Sequence, residues 1–360
     1  MKIIIFTGKF GMGHYSVTKA LLQDFEDNGI DADISVVDIY EYLLPSLNNA
    51  VYKTFNFAVR KTPRLYNTLN RACEHTEKMP FKSFFVKKMS ELVSEINPDV
   101  VVSTLPVAAN YFSAYKEKTG SRIPLITFIT DIVPHASWIT KTTDYYFVGC
   151  DEVRQNLIRR GVAENKIIIS GIPVRREFRK TGVHKKRDGS KKEILVMGGG
   201  LGLIPYSDTL LQRLNSCVNI NATVITGSNK ALCRHIKNKY KNIKVLGFTE
   251  NVCELLSSCD LLISKSGGVT IFEAIYTCTP MLIIDPFLEQ EIGNAEFMIN
   301  RRMGIVMPEK KNACDKIMEL IEDPHALLEM KNNMNSLRLS LPYYTTICDL
   351  IGSGKAWSRQ

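Results

Sequence analysis

Short runs of apolar and β-branched residues, each followed by a longer stretch of helical periodicity, recur along this chain and leave it few folds to choose from. In the first half they lie at Lys2–Thr7, Asp33–Val37, Asp99–Ser103, Leu125–Thr130 and Tyr145–Val148, with a helical pattern over Val17–Asn28 between the first two. Runs that are apolar at nearly every position are strands covered on both faces, and βα alternation makes such strands parallel. A second series, Ile194–Met197, Ala222–Thr226, Lys244–Gly247, Leu261–Ser264 and Met281–Ile284, begins after a polar, basic stretch at Lys180–Lys192. The pattern predicts an α/β protein of two Rossmann-like parallel-sheet domains facing a cleft, with the basic stretch as linker. At 360 residues the chain exceeds what one core usually fills, and no tandem repeat at solenoid periods is present. Open parallel sheets bind ligands beyond the carboxyl ends of their strands, so the chemistry is expected in the loops that follow each strand.

The first strand ends in Gly8-Lys9-Phe10-Gly11-Met12-Gly13-His14-Tyr15-Ser16. Glycines there let backbone N–H groups approach a ligand at a helix N-terminus. Gly8 and Gly13 have the spacing of a phosphate-binding P-loop, but His14-Tyr15 stands where Lys-Ser/Thr is required, which excludes a P-loop NTPase. A dinucleotide fingerprint, Gly11-x-Gly13-x-x-Ser16 with Asp38 as the ribose carboxylate, lacks its third glycine and leaves His14 without a role. A nicotinamide oxidoreductase is therefore the weaker alternative. For His14 the bland reading is a helix-capping or packed histidine.

In the second half Gly198-Gly199-Gly200-Leu201-Gly202 follows a strand, again a turn built for close backbone approach to phosphate. Further strand ends carry Thr226-Gly227-Ser228-Asn229, Gly247-Phe248-Thr249, Ser264-Lys265-Ser266-Gly267-Gly268-Val269-Thr270-Ile271-Phe272-Glu273-Ala274, and Asp285-Pro286-Phe287-Leu288-Glu289-Gln290-Glu291-Ile292-Gly293-Asn294. One glycine turn is a weak signal; five such loops at the ends of parallel strands are a strong one.

The order of these motifs resembles the donor domain of GT-B glycosyltransferases, specifically the monogalactosyldiacylglycerol synthase and processive diacylglycerol glucosyltransferase family. That family is related to the lipid-intermediate N-acetylglucosaminyltransferase of peptidoglycan synthesis. The first half is similar too, through Gly11-Met12-Gly13-His14, Thr130-Asp131-Ile132-Val133-Pro134-His135-Ala136-Ser137-Trp138 and Ser170-Gly171-Ile172-Pro173-Val174-Arg175. One departure concerns the sugar loop. The family usually shows Pro-Gly before Gln-Glu, whereas Pro286-Phe287-Leu288-Glu289 precedes Gln290-Glu291 here.

The resemblance implies an acceptor domain at 1–175, a UDP-sugar donor domain at 176–335, and a C-terminal helical segment at 336–360 returning to the first domain. It implies hexose transfer from UDP-glucose or UDP-galactose to diacylglycerol, with inversion, and with neither metal nor cofactor, the UDP-sugar being a substrate. Glu291 is then expected at the uridine ribose, Phe248, Thr249 and Gly227 around the uracil end, and Gly199, Gly200, Ser266, Gly267 and Gly268 near the diphosphate or sugar. Gln290 and Asn294 fall on the sugar side, and Arg175 offsets the charge of the departing diphosphate. Sugar transfer to an alcohol needs a base, and His14 and Asp131 are the candidates for base or base-orienting group, the bland alternative for Asp131 being a helix cap. Gly13, His135 and Trp138 are expected on the acceptor side, with His135 as readily structural as functional. Transfer to another lipid alcohol and a catalytically silent lipid or sugar-nucleotide sensor are the other readings.

The net charge of +9 calls for an acidic partner. Between Val51 and Leu92 nine basic residues (Lys53, Arg60, Lys61, Arg64, Arg71, Lys78, Lys82, Lys87, Lys88) face three acidic ones (Glu74, Glu77, Glu91), interleaved with Tyr52, Phe55, Phe57, Tyr66, Phe81, Phe84 and Phe85. Such a mixture suits an anionic membrane surface, where each basic residue contributes about 1 kcal/mol before screening. The bland reading is a solvated helical face over core aromatics. No nucleic-acid-reading motif is present, so nucleic acid is not an expected partner. No run is long enough to span a bilayer, even Val100–Phe112 being broken by Ser103, Pro106 and Asn110. The expected location is cytoplasmic and peripheral, on the inner face of the cell membrane. Nine cysteines without a C-x-x-C pair are read as buried thiols, with no metal site.

Overall fold

The computed structural model describes residues 1–10, 12–61, 82–133, 135–180, 191–204, 207–284, 286–307, 313–341 and 347–352. Of the residues singled out above, Gly11, Arg64, Tyr66, Arg71, Glu74, Glu77, Lys78, Phe81, Pro134 and Asp285 lie outside the described residues, as does 181–190 of the linker.

The chain divides into two compact units, Met1–Arg176 together with the segment from Leu341, and Glu177–Ser340. Unit 1 holds β1 (Lys2–Thr7), α1 (Gly13–Asp27), β2 (Asp33–Asp38), α2 (Ile39–Leu43), α3 (Asn48–Lys61), α4 (Lys82–Ile96), β3 (Val100–Ser103), α5 (Pro106–Thr119), β4 (Leu125–Phe128), β5 (Tyr145–Val148), α6 (Asp151–Arg159) and β6 (Ile167–Ile169). A short helix, α7 (Arg176–Lys180), leads to unit 2. There follow β7 (Lys192–Met197), α8 (Ser207–Ser216), β8 (Ile220–Ile225), α9 (Lys230–Lys239), β9 (Ile243–Leu246), α10 (Val252–Ser258), β10 (Leu261–Ser264), α11 (Gly268–Thr277), β11 (Met281–Ile283), α12 (Glu289–Asn300), β12 (Gly304–Val306), α13 (Ala313–Glu322) and α14 (Pro324–Ser340). A last helix, α15 (Ile347–Gly352), belongs to unit 1, where the Cys348 thiol donates to the Asp24 carbonyl oxygen at 3.7 Å. The boundary expected at 335/336 moves to 340/341, because α14 runs unbroken to Ser340.

Both sheets are parallel, in the orders β2-β1-β3-β4-β5-β6 and β12-β11-β10-β7-β8-β9. All ten strands read from the sequence are present; the two it missed, β6 and β12, are three-residue edge strands. Ile3, Ile4, Ile5 and Phe6 of β1 are completely buried, as a central strand covered on both faces requires. On one face of the first sheet Ile4, Phe6 and Val101 pack on Met89 and Leu92 of α4 and on Ala108 and Phe112 of α5. In the second sheet Ile194, Val196 and Ile263 pack on Leu211 of α8, Ile236 of α9 and Met330 of α14.

Strand order reverses between β1 and β3 in the first sheet and between β7 and β10 in the second. At such a switch point the connections on either side run off in opposite directions, and a crevice opens above the carboxyl ends of the two strands. The loops after β1, β3, β7 and β10 are therefore where each unit can hold a ligand.

One buried ion pair braces the far end of the first sheet. Lys116 on α5 contacts Asp144 Oδ2 at 2.6 Å with both side chains nearly buried, and donates to the Thr142 carbonyl at 3.0 Å, while the same Asp144 oxygen accepts the Leu125 N–H at 2.9 Å. Lys116→Met leaves a buried carboxylate without its counter-charge and is expected to cost about 3–5 kcal/mol in denaturant unfolding. The exposed neighbour Lys118, changed the same way, should stay within about 0.5 kcal/mol of wild type.

Candidate functional site

In unit 1 the glycine turn after β1 delivers His14 at the start of α1. Its Nδ1 lies 2.6 Å from the backbone oxygen of Thr104, which follows β3 directly, and 3.5 Å from Thr130 Oγ1 beyond β4. A carbonyl oxygen only accepts, so Nδ1 carries the proton and Nε2 is left with its lone pair. Among the described residues Nε2 has no hydrogen-bond partner. Thr104 is completely buried and fixed in turn, its N–H and Oγ1 both donating to the Phe6 carbonyl at 3.0 and 3.1 Å. The histidine is thus referenced to two neighbouring strands at the switch point.

Burial pushes the His14 imidazole below its ordinary 6.5, partly offset by the negative charge of Asp131 and the bond to Thr104, and reinforced by His135. Asp131 accepts the indole N–H of Trp138 at 3.3 Å, so it caps no helix. The Trp138 ring is fully buried, with its centroid 6.3 Å from His14 and 6.2 Å from His135. Ser137 Oγ and His135 Nδ1 are hydrogen-bonded to each other, and Asn110 on α5 donates to the Ser137 carbonyl at 2.7 Å. His14, Asp131, His135 and Trp138, far apart in sequence, form one cluster, with Gly13 as the first residue of α1. Arg175 is half-buried near the end of this unit.

Asp38, the ribose carboxylate of the dinucleotide alternative, is committed elsewhere. Its Oδ1 caps α2 through the N–H groups of Tyr40 and Glu41, at 3.1 Å each, and accepts the Tyr52 hydroxyl at 2.5 Å. That hydroxyl accepts the Lys9 N–H at 3.1 Å, while Phe10 packs edge-on against Tyr40, Tyr52 and Phe55. Helix α3 is bolted in this way to the glycine turn.

In unit 2 the loops after β7 and β8 are sewn together. Ser228 donates to the Gly200 carbonyl through both N–H and Oγ, each at 3.0 Å. A Cβ on Gly227 (φ +53°) would sit 2.5 Å from the Gly200 oxygen, so only glycine fits. Gly199 (φ +67°) instead has no atom within 4 Å of a built Cβ and faces open space. Across the switch point Gly267 caps α11 and Gly268 opens it, with Ser266 fully buried beneath. Helix N-termini present unpaired N–H groups that favour anions. Phe248, 60% exposed, and Thr249, whose Oγ1 accepts the Asn251 N–H at 3.2 Å, follow β9.

Glu291 is buried at the first turn of α12. Its Oε1 accepts the Lys265 ammonium at 2.9 Å, and its Oε2 faces the N–H groups of Phe287 and Leu288 at 3.4 and 3.5 Å. Asn294, 1% exposed, donates to the Ser266 carbonyl at 2.8 Å, whereas Gln290 is half-buried on the preceding turn. Leu288, where the resembled family has proline, is the N-cap of α12, and Glu289 is its first residue. A cavity lined by Glu193, Asn221, Thr223, Lys244 and Ser258 opens at the amino ends of the strands, away from these loops.

On α4, Phe84 (43% exposed) and Lys87 point outward, while Val86, Met89, Leu92 and Val93 are buried. Phe85, grouped with the membrane-facing residues from composition, stacks half-buried on Tyr111 with centroids 4.2 Å apart. Lys82 pairs with Glu117 at 3.2 Å and Lys88 with Glu91 at 2.8 Å. On α3, Phe57 is 61% exposed.

Residues 14–174 match the monogalactosyldiacylglycerol (MGDG) synthase family, and residues 193–339 match the glycosyltransferase family 28 C-terminal domain. The chain thus resembles glycosyltransferases along both of its halves. It is 29% identical over 363 residues to the processive diacylglycerol beta-glucosyltransferase of Staphylococcus carnosus (strain TM300), covering 97% of this chain and 92% of that protein. It is 28% identical over 366 residues to the enzyme of the same name from Bacillus subtilis (strain 168), covering 94% and 92%. Among solved structures, Acinetobacter baumannii MurG superposes with a TM-score of 0.63 at 14% identity (93% of this chain, 94% of that one). Spinosyn rhamnosyltransferase SpnG complexed with thymidine diphosphate superposes with a TM-score of 0.64 at 13% identity (99% and 100%). At these identities the likeness is one of fold, and the fold is GT-B.

Sequence reading found the strand-end motifs but passed over Thr104; it named Asn110, Lys265 and the buried Glu273 of α11 without giving them a role of their own, and Tyr52 only within the basic and aromatic mixture. Thr104 acts through its backbone and leaves no mark in sequence; Asn110 and Lys265 were legible as lone polar groups in otherwise apolar or small-residue stretches.

The histidine geometry is directly testable. Nitrogen-15 NMR should find His14 protonated at Nδ1 and titrating below 6.5. Because the unfolded chain then binds a proton more readily than the folded one, His14 should subtract stability as pH falls from 6.5 through its lowered folded value. An Nε2-protonated ring, or one titrating at or above 6.5, would leave the site without its acceptor nitrogen.

Proposed function

We propose that this chain transfers a hexose from a UDP-sugar to diacylglycerol at a membrane surface, with inversion and without a metal. The observation that carries this reading is the free Nε2 lone pair of His14, held at the switch point of unit 1 by a bond that dictates the tautomer. An imidazole pushed down by burial is neutral at pH 7 and ready to take a proton. In this mechanism the diacylglycerol hydroxyl gives its proton to Nε2 as its oxygen attacks the anomeric carbon, and UDP leaves from the opposite face. Asp131, whose charge favours the imidazolium, stabilises the state formed as the proton arrives. The departing diphosphate is met by backbone N–H groups at Gly199, Gly200 and the start of α11, the positive groups that replace a metal.

Glu291, Gln290 and Asn294 are assigned to the donor's hydroxyl-bearing end, and Phe248 with Thr249 and Gly227 to the uracil. UDP-glucose is the favoured donor because the full-length relatives are named glucosyltransferases, with UDP-galactose as the alternative. The lipid acceptor is supported by those same names. No helix among the described residues is long and apolar enough to cross a membrane, so the acceptor is reached from the surface. We assign that contact to the outward face of α4, through Phe84 and Lys87, and place the enzyme peripherally on the anionic inner face of the cell membrane.

Labelled hexose from UDP-glucose or UDP-galactose should appear in glycolipid when diacylglycerol is supplied in anionic liposomes, and chelator should leave the rate unchanged. His14→Ala should lower kcat by about 10²–10⁴-fold. Full transfer by that variant, or dependence on added metal, would sink the mechanism. The pH profile of kcat/KM should be flat above 6.5 and fall on the acid side through the lowered His14 value.

Membrane docking has its own test. The double change Phe84→Ala with Lys87→Ala should weaken sedimentation with anionic vesicles about tenfold or more, from one apolar anchor and one basic contact. Unchanged binding would move the contact off α4.

A further inference from the structure

Lys265, the first residue after β10, sits among small and apolar neighbours at the switch point of unit 2. Its ammonium lies 2.9 Å from Glu291 Oε1 and 3.9 Å from the Phe287 ring centroid, and both members of the ion pair are 11% exposed. The loop after β10 and the start of α12 are already tied without it: Ser266 Oγ donates to the Glu291 carbonyl at 2.6 Å, and the Asn294 amide donates to the Ser266 carbonyl at 2.8 Å. A buried ion pair is an expensive way to hold two loops that neutral hydrogen bonds already hold. What it adds is control over the direction of one carboxylate.

That carboxylate is not saturated by its protein partners. Each carboxylate oxygen can accept from two directions. Oε1 takes one strong bond from Lys265, and Oε2 takes only two long contacts from the N–H groups of Phe287 and Leu288. Two adjacent acceptor oxygens, each with capacity left, match the two hydroxyls of a vicinal diol.

We propose that Lys265 is a positioning residue for the donor: by gripping Oε1 it turns the Glu291 carboxylate to accept a vicinal diol of the sugar nucleotide, on the hexose or on the ribose. This rests on the reading of unit 2 as the UDP-sugar site. Lys265 itself touches no substrate. Its loss therefore erases discrimination between a donor that has the diol and one that lacks it, beyond any general loss of affinity.

The test uses the full-length protein with paired ligands. One pair is UDP against 2′,3′-dideoxy-UDP, compared by calorimetric Kd; the other is UDP-glucose against UDP-3-deoxyglucose, compared by kcat/KM. A hydrogen-bonded diol on a charged acceptor should give wild type at least one ratio of about tenfold or more. Lys265→Met should collapse that ratio to within about twofold of unity, as Glu291→Ala does, and Lys265→Arg should restore it. Collapse of the first ratio assigns the diol to the ribose, and of the second to the hexose. If Lys265→Met loses affinity yet keeps wild-type ratios, the lysine is a phosphate ligand or a structural tie, and the proposal is overturned. Thermal melts check folding, and Lys265→Gln, which still donates a hydrogen bond, serves if the methionine variant does not fold. A wild-type protein that binds neither UDP nor its dideoxy analogue overturns the functional reading of unit 2 itself, a result distinct from retained ratios.

Discussion

The hydrogen bond from His14 Nδ1 to the Thr104 carbonyl is the contact on which the candidate site of the first unit depends. It exists because β1 and β3 are adjacent and parallel, so that the residues following each strand arrive at the same edge. It fixes a tautomer, and the tautomer decides which nitrogen can take a proton. Burial, not that bond, accounts for the histidine's low proton affinity: a ring wedged between Thr104, Thr130 and Trp138 is shielded from the water that would stabilise its cation, and the bond to Thr104 offsets part of the loss. Asp131 lies close enough to draw that affinity partway back. The proposed role of His14 as base calls for both influences, one to keep it neutral at rest and one to favour the proton once it is taken.

On the proposed reading, the second unit meets a different problem, that of a leaving group carrying two phosphates. Here the positive groups offered are mostly backbone N–H groups, and backbone can approach a ligand only where side chains are absent. Contacts around each glycine separate those that the loop's own packing requires from those that it does not. Gly198, Gly202 and Gly227 are demanded by contacts within the protein, where a Cβ would lie 2.0–2.5 Å from neighbouring backbone. Gly199, with nothing around a built Cβ, and Gly267, whose nearest neighbour is the Thr270 hydroxyl at 3.7 Å, are free of that steric demand, although φ +67° at Gly199 still favours glycine. The first group builds the turn; the second leaves its surface bare.

Much of this was legible in the sequence because buried parallel strands announce themselves. Ile3 to Phe6 and Leu261 to Ile263 are apolar without interruption, and the loops after such strands can be named before their geometry is known. The edge strands β6 and β12 escaped because a three-residue strand at an edge, half-buried at Ile168, Ile169, Ile305 and Val306, lacks both length and flanking contrast. The difference between Phe84 and Phe85 was hidden for a related reason. Composition cannot say which way a helix faces, and on α4 Phe84 turns outward while Phe85 stacks on Tyr111. The partners of the site residues were the least legible. The Thr104 carbonyl would be there whatever its side chain, and Tyr52 reaches Asp38 and Lys9 only because α3 folds back over the glycine turn.

The buried pair of Lys265 and Glu291 shows how such partners follow from the cost of charge rather than from motif. Removing two charges from water is repaid only when geometry is good, and an apolar pair of similar volume is often as stable. Lys265 also lies over the face of Phe287, a second favourable contact for the same ammonium, so the cation is satisfied from two sides. The carboxylate is satisfied from one side, at Oε1, and only loosely at Oε2. That asymmetry is what a fold under selection for stability alone would remove, and what a site that must accept hydroxyl groups has reason to keep.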